Sequence, residues 1–526
     1  MMFPKKVHDQ IYFWSLVFLA VSLPLSIFFT SVFQFVLIGN WIAEAKFREK
    51  WIRFRSDPAL WIFLALFLIH LLGMTWTNNL DYGLKDLRIK LPLLVLPLVV
   101  GTVTPLTKKQ TDLILHFFVG AVCVATLASV FALTGLLPGE INDFRDISLF
   151  ISHIRFALLI VLAIAISFYF LFLNDEKLPV FLRWFYPVNL VWMPLFLIAL
   201  KSLSGIVIFI ILTYLFLLRL TFRIRDISLR FMVFVFILII PLVSLAYVGT
   251  VVKRFYTVDP IESAEIDLKT NEGNLYMNLS DRKEIENGHH VWMYVCISEL
   301  EREWNRVSDI DFNGITANGN SLQHTLIRYM TSMGLRKDAV GFSRLTDKDI
   351  KAIEKGIANQ IYLKKFSLYP RIYEIIWEIH RVRLGYSPND KSIVQRWLYL
   401  EAGLSIAGDH FWTGVGTGDI PDAFNAYYEK VQSPLETDRR RRAHNQFLTF
   451  VIAFGIFGFM ACMAAILVPV WIRKKWDSCM TVVFLVIMGL SMMNEDTIET
   501  SAGAASFAFF YVITIFGPHY KWFRDG

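Results

Sequence analysis

The chain has 526 residues, 55% of them hydrophobic and 15% aromatic, with a formal net charge of +7 and a mean hydropathy of +0.48. Soluble domains are less apolar than this, and the 46 phenylalanines fall in long apolar blocks, so the composition argues for a polytopic membrane protein. The positive balance does not suggest nucleic acid, because much of the Lys and Arg lies in short loops between apolar runs and reads as topology information. Four cysteines, Cys123, Cys296, Cys462 and Cys479, have no spacing that suggests a disulfide framework or a zinc site.

The opening MMFPKK before an apolar stretch mimics a signal peptide. No small-residue cleavage site follows, and the stretch reads as an uncleaved first helix. The apolar runs then predict about twelve helices at roughly 20 residues per crossing. They cover residues 11–27, 28–44, 59–75, 90–103, 112–134, 150–172, 184–200, 203–219, 230–252, 445–471, 479–493 and 500–517. The fourth is short and contains Pro92 and Pro97, so it is expected to be bent or partly re-entrant. The expected fold class is an all-α polytopic membrane protein. Residues 1–252 form an N-terminal bundle, 253–443 a large loop with an insert at 253–390, and 444–526 a C-terminal bundle.

Orientation follows from the charges in alternate loops. One set holds Lys5 and Lys6, then Lys46 to Arg55, Lys108 and Lys109, Lys177 and Arg183, Arg219 to Arg230, Arg473 to Lys475, and Lys521 with Arg524. The other set is poorer, with Lys85, Arg88, Lys90, Arg145 and Lys201. Both termini are therefore expected in the cytoplasm and the large loop outside. Within that loop, LTDKDIKAIEKGIANQIYLKK and PRIYEIIWEIHRVRL have helical spacing, SIVQRWLYLEAGLSIAG is amphipathic, and GVGTGD reads as a turn-rich loop. Asp309 and Asp311 in SDIDF read as a surface turn. Adjacent His289 and His290 point to different sides of most backbones and make a poor metal site.

On this topology, polar residues from distant parts of the chain reach one depth on the outer side. Arg439 to Arg442 precede His444 and Asn445 at the start of the tenth span. Arg155 lies in the first turns of the sixth span, Lys201 and Ser202 in the outer turn after the seventh, Arg396 on the outer amphipathic segment, and Glu495 and Glu499 between the last two spans. Charges at this depth are costly and often functional. Arginine presents a planar fork that matches phosphate oxygens, and a histidine among arginines can exchange a proton near neutral pH. The set suits a lipid-linked phosphate or diphosphate. Each member also has a plainer reading: a headgroup-binding collar for the arginine run, a helix cap for His444, a snorkelling side chain for Arg155, and one helix face for the i, i+4 pair Glu495 and Glu499.

AHNQFLTFVIAFGIFG resembles the His-Asn pair and spaced glycines of the O-antigen ligase and O-antigen polymerase superfamily, with His444, Asn445, Gly455 and Gly458 in those places. WTGVGTGDIPDAF is similar to that family's Gly-x-Gly-x-Gly segment, filled here by Gly414, Gly416 and Gly418; Arg396 in QRW and Arg155 in SHIRF fit its arginines. At the turn before the eighth span the family often carries Ser-Arg-Gly, where this chain has Lys201-Ser202-Leu203-Ser204-Gly205.

The resemblance implies a GT-C-like fold and a metal-independent glycosyltransferase in the bacterial inner membrane, without a cofactor. Its donor would be an undecaprenyl-diphosphate-linked glycan, used at the periplasmic face. It gives His444 the catalytic place, and Arg155, Arg396, Lys201, Ser202, Arg442, Asn445, Glu495 and Glu499 places in substrate binding. A lipid A-core acceptor would make the protein an O-antigen ligase in lipopolysaccharide biosynthesis. Another lipid-linked glycan would make it a polymerase, and a protein hydroxyl an oligosaccharyltransferase. A flippase for the same lipid-linked glycan is the rival from another class, although such proteins place charges along a midplane path and show paired halves.

Overall fold

The computed structural model describes residues 4–133, 147–258, 266–364, 367, 369–389 and 392–522. Arg145 and Arg524, counted in the charge pattern above, lie outside the described residues. The chain divides into two units, residues 1–220 with 396–526, and residues 221–395.

The first unit is helical: α1 (Lys5–Leu25), α2 (Ile27–Ala43), α3 (Phe47–Ser56), α4 (Pro58–Leu72), α5 (Leu80–Lys90), α6 (Pro92–Thr102), α7 (Lys108–Leu133), α8 (His153–Phe168), α9 (Val180–Ala199) and α10 (Leu203–Thr221). The second unit begins within the last residue of α10 and contains α11 (Ile227–Tyr256), α12 (Ile297–Val307), α13 (Leu322–Ser332), α14 (Ala339–Phe342), α15 (Asp347–Glu354) and α16 (Tyr369–Arg383). The chain returns to the first unit along α17 (Ser392–Asp409), followed by α18 (Ile420–Lys430), α19 (Gln446–Ile472), α20 (Cys479–Asn494) and α21 (Ser501–Ile515).

The fold is an all-α membrane fold, for which about twelve spans were expected. Among the described residues, seven helices are long and apolar enough to cross a membrane on their own, or eight if the bent pair α2–α3 counts as one. The predicted apolar runs are helical, and several of the helices are short. The eleven residues of α6 extend only about 16 Å at 1.5 Å per residue, half a hydrocarbon core. Helices α20 and α21 have 16 and 15 residues. α2 and α3 meet at 110°, so α3 turns away from the direction of α2.

One apolar core runs through the first unit, from Leu16 and Val17 of α1 through Phe118 of α7 and Ile160 of α8 to Phe484 of α20 and Phe510 of α21. Polar groups collect at its two ends. At one end Lys108 pairs with Asp112 and Glu176, the Lys475 ammonium caps the Gly517 and Pro518 carbonyls, and Arg473 pairs with Asp57. The other end carries the residues singled out around His444.

The second unit has its own core, built on Trp304, Leu326, Tyr329 and Met330. Its only strands among the described residues are the two-residue antiparallel pair β1 (Ile285–Glu286) and β2 (His289–His290). A capping box from Thr346 and Asp349 starts α15, and Gly356 at φ +83° ends that helix before the expected 21-residue run is complete. In SDIDF the Asp311 carboxylate accepts the Asn313 N–H at 2.7 Å, an Asx turn.

Candidate functional site

The site is built on a break in a membrane helix. α19 is interrupted at Gly455, which has φ +66° and ψ −172°. A helix broken inside apolar surroundings leaves backbone groups that must find partners. Here the segment after α17 supplies them. The Val415 and Gly416 amides donate to the Ile452 and Ala453 carbonyls at 2.8 and 2.9 Å, and the Ile456 amide donates to the Phe411 carbonyl at 2.8 Å. The approach is too close for side chains: a Cβ on Gly414 would lie 2.3 Å from Ala453 C, and one on Gly455 would lie 2.2 Å from Trp412 O. The glycine-rich segment and the spaced glycines of α19 are thus two halves of one backbone joint.

The segment continues to a second anchor. The Thr417 hydroxyl donates to the His70 carbonyl at 2.6 Å. Asp419 accepts the Asn78 and Asn79 backbone N–H groups, at 2.9 Å from Oδ2 and 2.7 Å from Oδ1. These bonds seat the 414–422 segment on the loop that leads into α5.

At its start α19 is fixed just as closely. Asn445 is the N-cap, accepting the Leu448 N–H at 3.0 Å, and its amide donates to the Met493 carbonyl at 3.1 Å. His444, one residue earlier, has φ +49°, a left-handed conformation that costs a non-glycine residue about 1–2 kcal/mol. The strain aims the imidazole at the link between α20 and α21. Its Nδ1 lies 3.5 Å from Glu495 Oε2, and its ring lies 5.8 Å from that of Tyr399.

Two glutamates in that link organise the cations. Glu495 receives Arg396 Nη2 on Oε1 at 2.9 Å and faces His444 with its other oxygen. Burial pushes the Glu495 carboxyl up, but the hydrogen bond and charge of His444, with Arg396 and Arg155, outweigh it and hold it below the usual carboxylate range. Glu499 receives Lys90 Nζ at 2.8 Å, Arg442 Nη1 at 3.3 Å and the Gln446 amide at 2.9 Å. Burial opposes its charge too, yet Lys90 and Arg442 keep it ionised well below the ordinary value. Asp496 between them accepts the Thr449 hydroxyl at 2.9 Å; burial and the nearby Glu499 raise its carboxyl.

The expectation that Glu495 and Glu499 share a helix face is corrected. α20 ends at Asn494 and α21 begins at Ser501, so both lie in a non-helical link. Gln446 pins that link, since its side-chain carbonyl also accepts the Ile498 N–H at 3.0 Å.

Arg155, on the first turn of α8, donates Nε–H to the Thr500 hydroxyl at 2.8 Å and Nη1–H to Ser152 at 3.1 Å. Among the described residues no carboxylate lies within ion-pair distance of it. Arg442 is spoken for, paired with Glu499 and standing 5.2 Å over the Tyr82 ring. Lys201 sits at φ +50° in the turn after α9. The neighbouring Ser202 is buried and accepts the Gly205 N–H at 3.5 Å. A Cβ on Gly205 would meet Ala157 at 2.6 Å, so this turn is seated on α8 two residues beyond Arg155.

Sequence reasoning missed the groups behind the glutamates. Lys90 reads in the sequence as a loop charge, yet it is 1% exposed and also pairs with Asp86 at 2.6 Å. His70, Asp86, Lys90, Thr417, Thr449 and Glu499 pack around one closed interior gap together with Ile420, Phe450, Ala453 and Phe454. The available signal is the i, i+4 spacing of Asp86 and Lys90 on the polar helix α5.

The architecture and this site define a class: an all-α membrane protein in which buried carboxylates hold a histidine and several cations at one polar end. Residues 356–463 match the protein-family model described as O-Antigen ligase, which supports membership of the O-antigen ligase superfamily. The matched stretch contains Arg396, the glycine segment, Arg442, His444 and Asn445, while Arg155, Glu495 and Glu499 lie outside it. Members of that family are glycosyltransferase-like enzymes. A comparison with curated proteins gives no match.

Proposed function

We propose that the protein transfers a glycan from a polyprenyl-diphosphate carrier, undecaprenyl diphosphate, to an acceptor hydroxyl at the periplasmic face of the inner membrane, and that the acceptor is lipid A-core. The observation that carries this reading is the shared Glu495 carboxylate, with Arg396 on one oxygen and His444 against the other. Arg155 supports it as a guanidinium with unspent donors, and the family match supports the ligase reading.

In this mechanism Glu495 accepts the Nδ1–H of His444, which leaves Nε2 as the base. The acceptor O–H approaches Nε2, its oxygen attacks the anomeric carbon, and the bond from that carbon to the carrier's phosphate oxygen breaks. The acceptor's proton passes to Nε2, and the electron pair leaves with the lipid diphosphate. Arg155 and Arg396 meet the charge that grows on the leaving group, the role in which fixed donors contribute most. A single displacement of this kind inverts the anomeric centre.

The test is reconstitution of the purified protein with lipid-linked glycan and separate acceptors. Glycan on lipid A-core is the expected product. Longer lipid-linked glycan would instead make the protein a polymerase, and a glycosylated protein would make it an oligosaccharyltransferase. Translocation without transfer would overturn the enzymatic reading. His444→Ala is expected to abolish transfer while the protein remains folded in the membrane; transfer by that variant would remove the histidine from the chemistry.

A further inference from the structure

The unit of residues 221–395 contains a cavity of about 320 Å³, within the size range of small-molecule sites. Arg254, Asn287, His289, Gln360, Lys364 and Tyr369 are among its lining residues, and among the described residues the lining includes no carboxylate. Arg254 stands in the last turn of α11, where a cation also offsets the helix dipole. Lys364 has no such part to play. Among the described residues neither cation has a carboxylate within ion-pair distance; the Arg254 guanidinium lies 5.7 Å over the Tyr369 ring.

The cavity wall is held rigidly from behind. Glu286 is fully buried and accepts Arg328 Nε at 2.7 Å, the Asn359 amide at 2.6 Å and the Tyr373 hydroxyl at 3.1 Å. That hydroxyl also accepts the Asn287 backbone N–H at 2.8 Å, while the Asn287 side chain donates to the Ser332 carbonyl at 2.7 Å. The Gln360 backbone N–H is fixed on the Ser332 hydroxyl at 2.9 Å, and its side-chain amide projects from an exposed position. Glu286 is paired with Arg328, and Arg254 and Lys364 are the Lys and Arg side chains among the described lining residues.

We propose that this cavity binds an anionic saccharide, a sugar carrying a phosphate or a carboxylate. Two cations suit the acid group. The exposed amide of Gln360 suits ring hydroxyls, as donor and acceptor at once, and Tyr369 offers an aromatic surface beside it. The proposal stands apart from the transfer reading, because none of its residues belongs to the site around His444.

The test uses the full-length protein in phosphatidylcholine nanodiscs, titrated calorimetrically with glucose 1-phosphate, glucuronate, glucose and inorganic phosphate. Glucose 1-phosphate and glucuronate are expected to bind saturably. R254Q/K364Q, in which both replaced side chains are exposed, is expected to keep the thermal midpoint of the wild type and to bind at least tenfold more weakly. Should that variant fail to fold, Q360A is measured instead, with a loss of at least threefold expected. Undiminished binding by the variant, or no binding to the wild type, overturns the proposal. So does glucose or inorganic phosphate binding as tightly as the sugar phosphate, since either removes half of the ligand. R155Q/R396Q is expected to keep the signal; its loss would assign the binding to the other site.

Discussion

His444 Nδ1 and Glu495 Oε2 stand 3.5 Å apart, although 50 residues of chain and two helices lie between them. The histidine is 31% exposed at its side chain, and the glutamate 7%. A buried anion behind a half-open imidazole fixes which nitrogen faces outward.

Glu495→Gln keeps the shape of that partner and removes its charge. Under the proposed mechanism kcat is expected to fall by about 10²- to 10⁴-fold, the scale of general-base catalysis, with little change in KM. The discriminating measurement is the double variant. H444A/E495Q is expected to be slower than H444A alone by far less than E495Q is slower than the wild type, because the glutamate acts chiefly through the histidine and only its hold on Arg396 is left to lose. Additive losses would give Glu495 a separate role.

Arg155→Lys tests the leaving-group site. Lysine retains the charge but not the fork, and cannot serve Thr500, Ser152 and a diphosphate together. A loss of about 1.5–3 kcal/mol for a hydrogen bond to a charged group corresponds to roughly a 10- to 150-fold fall in kcat/KM for the lipid-linked donor. Unchanged donor kinetics would remove Arg155 from diphosphate binding.

Lys90→Ala leaves Asp86 and Glu499 buried with one cation fewer, and breaking a buried pair costs about 3–5 kcal/mol. The sign of the pH effect follows from Glu499. Its folded value is depressed, so the stability it contributes is complete above the ordinary carboxylate value of about 4.3 and is lost as pH falls through the depressed one. Without Lys90 the depression shrinks. Acid unfolding of K90A, followed by tryptophan fluorescence, is expected to begin at higher pH than in the wild type. An unchanged acid limb would show that Arg442 and Gln446 alone hold the charge.

Gly455→Ala places a methyl group against the Trp412 carbonyl at a position with φ +66°. The strain alone is about 1–3 kcal/mol, and the clash adds to it. A lower thermal midpoint is expected, together with greater protease sensitivity near 411–416. Gly458→Ala would put its methyl 2.1 Å from the Phe454 Cβ, which no rotamer change can move, so it too is expected to lower the midpoint, but without protease sensitivity near 411–416; the same sensitivity in both variants would detach the break from the glycine segment.

His444, Asn445, Arg396 and Arg155 were legible in the sequence because short motifs and the positive charge pattern bring them to one level. The structure joins three of them to the α20–α21 link: His444 and Arg396 through Glu495, and Arg155 through Thr500. Lys90 was not legible, because a loop charge and a buried one look alike until the packing partner is known. Glu495 and Glu499 were legible from their place between the last two apolar runs; only the plainer reading of one helix face was wrong, since i, i+4 spacing carries meaning only inside a helix and residues 495–500 are not helical. Hydropathy reports what a segment tolerates around it, whereas crossing also requires length, and α6 has eleven residues.

The break at Gly455 also constrains motion. Three backbone hydrogen bonds tie residues 411–416 to residues 452–456. In apolar surroundings each would be expensive to open without a replacement. The leading nine residues of α19 and the turn beneath them therefore travel together or stay still, and any tilt of that half-helix carries Asn445 and Thr449 along with the loop clasped to it.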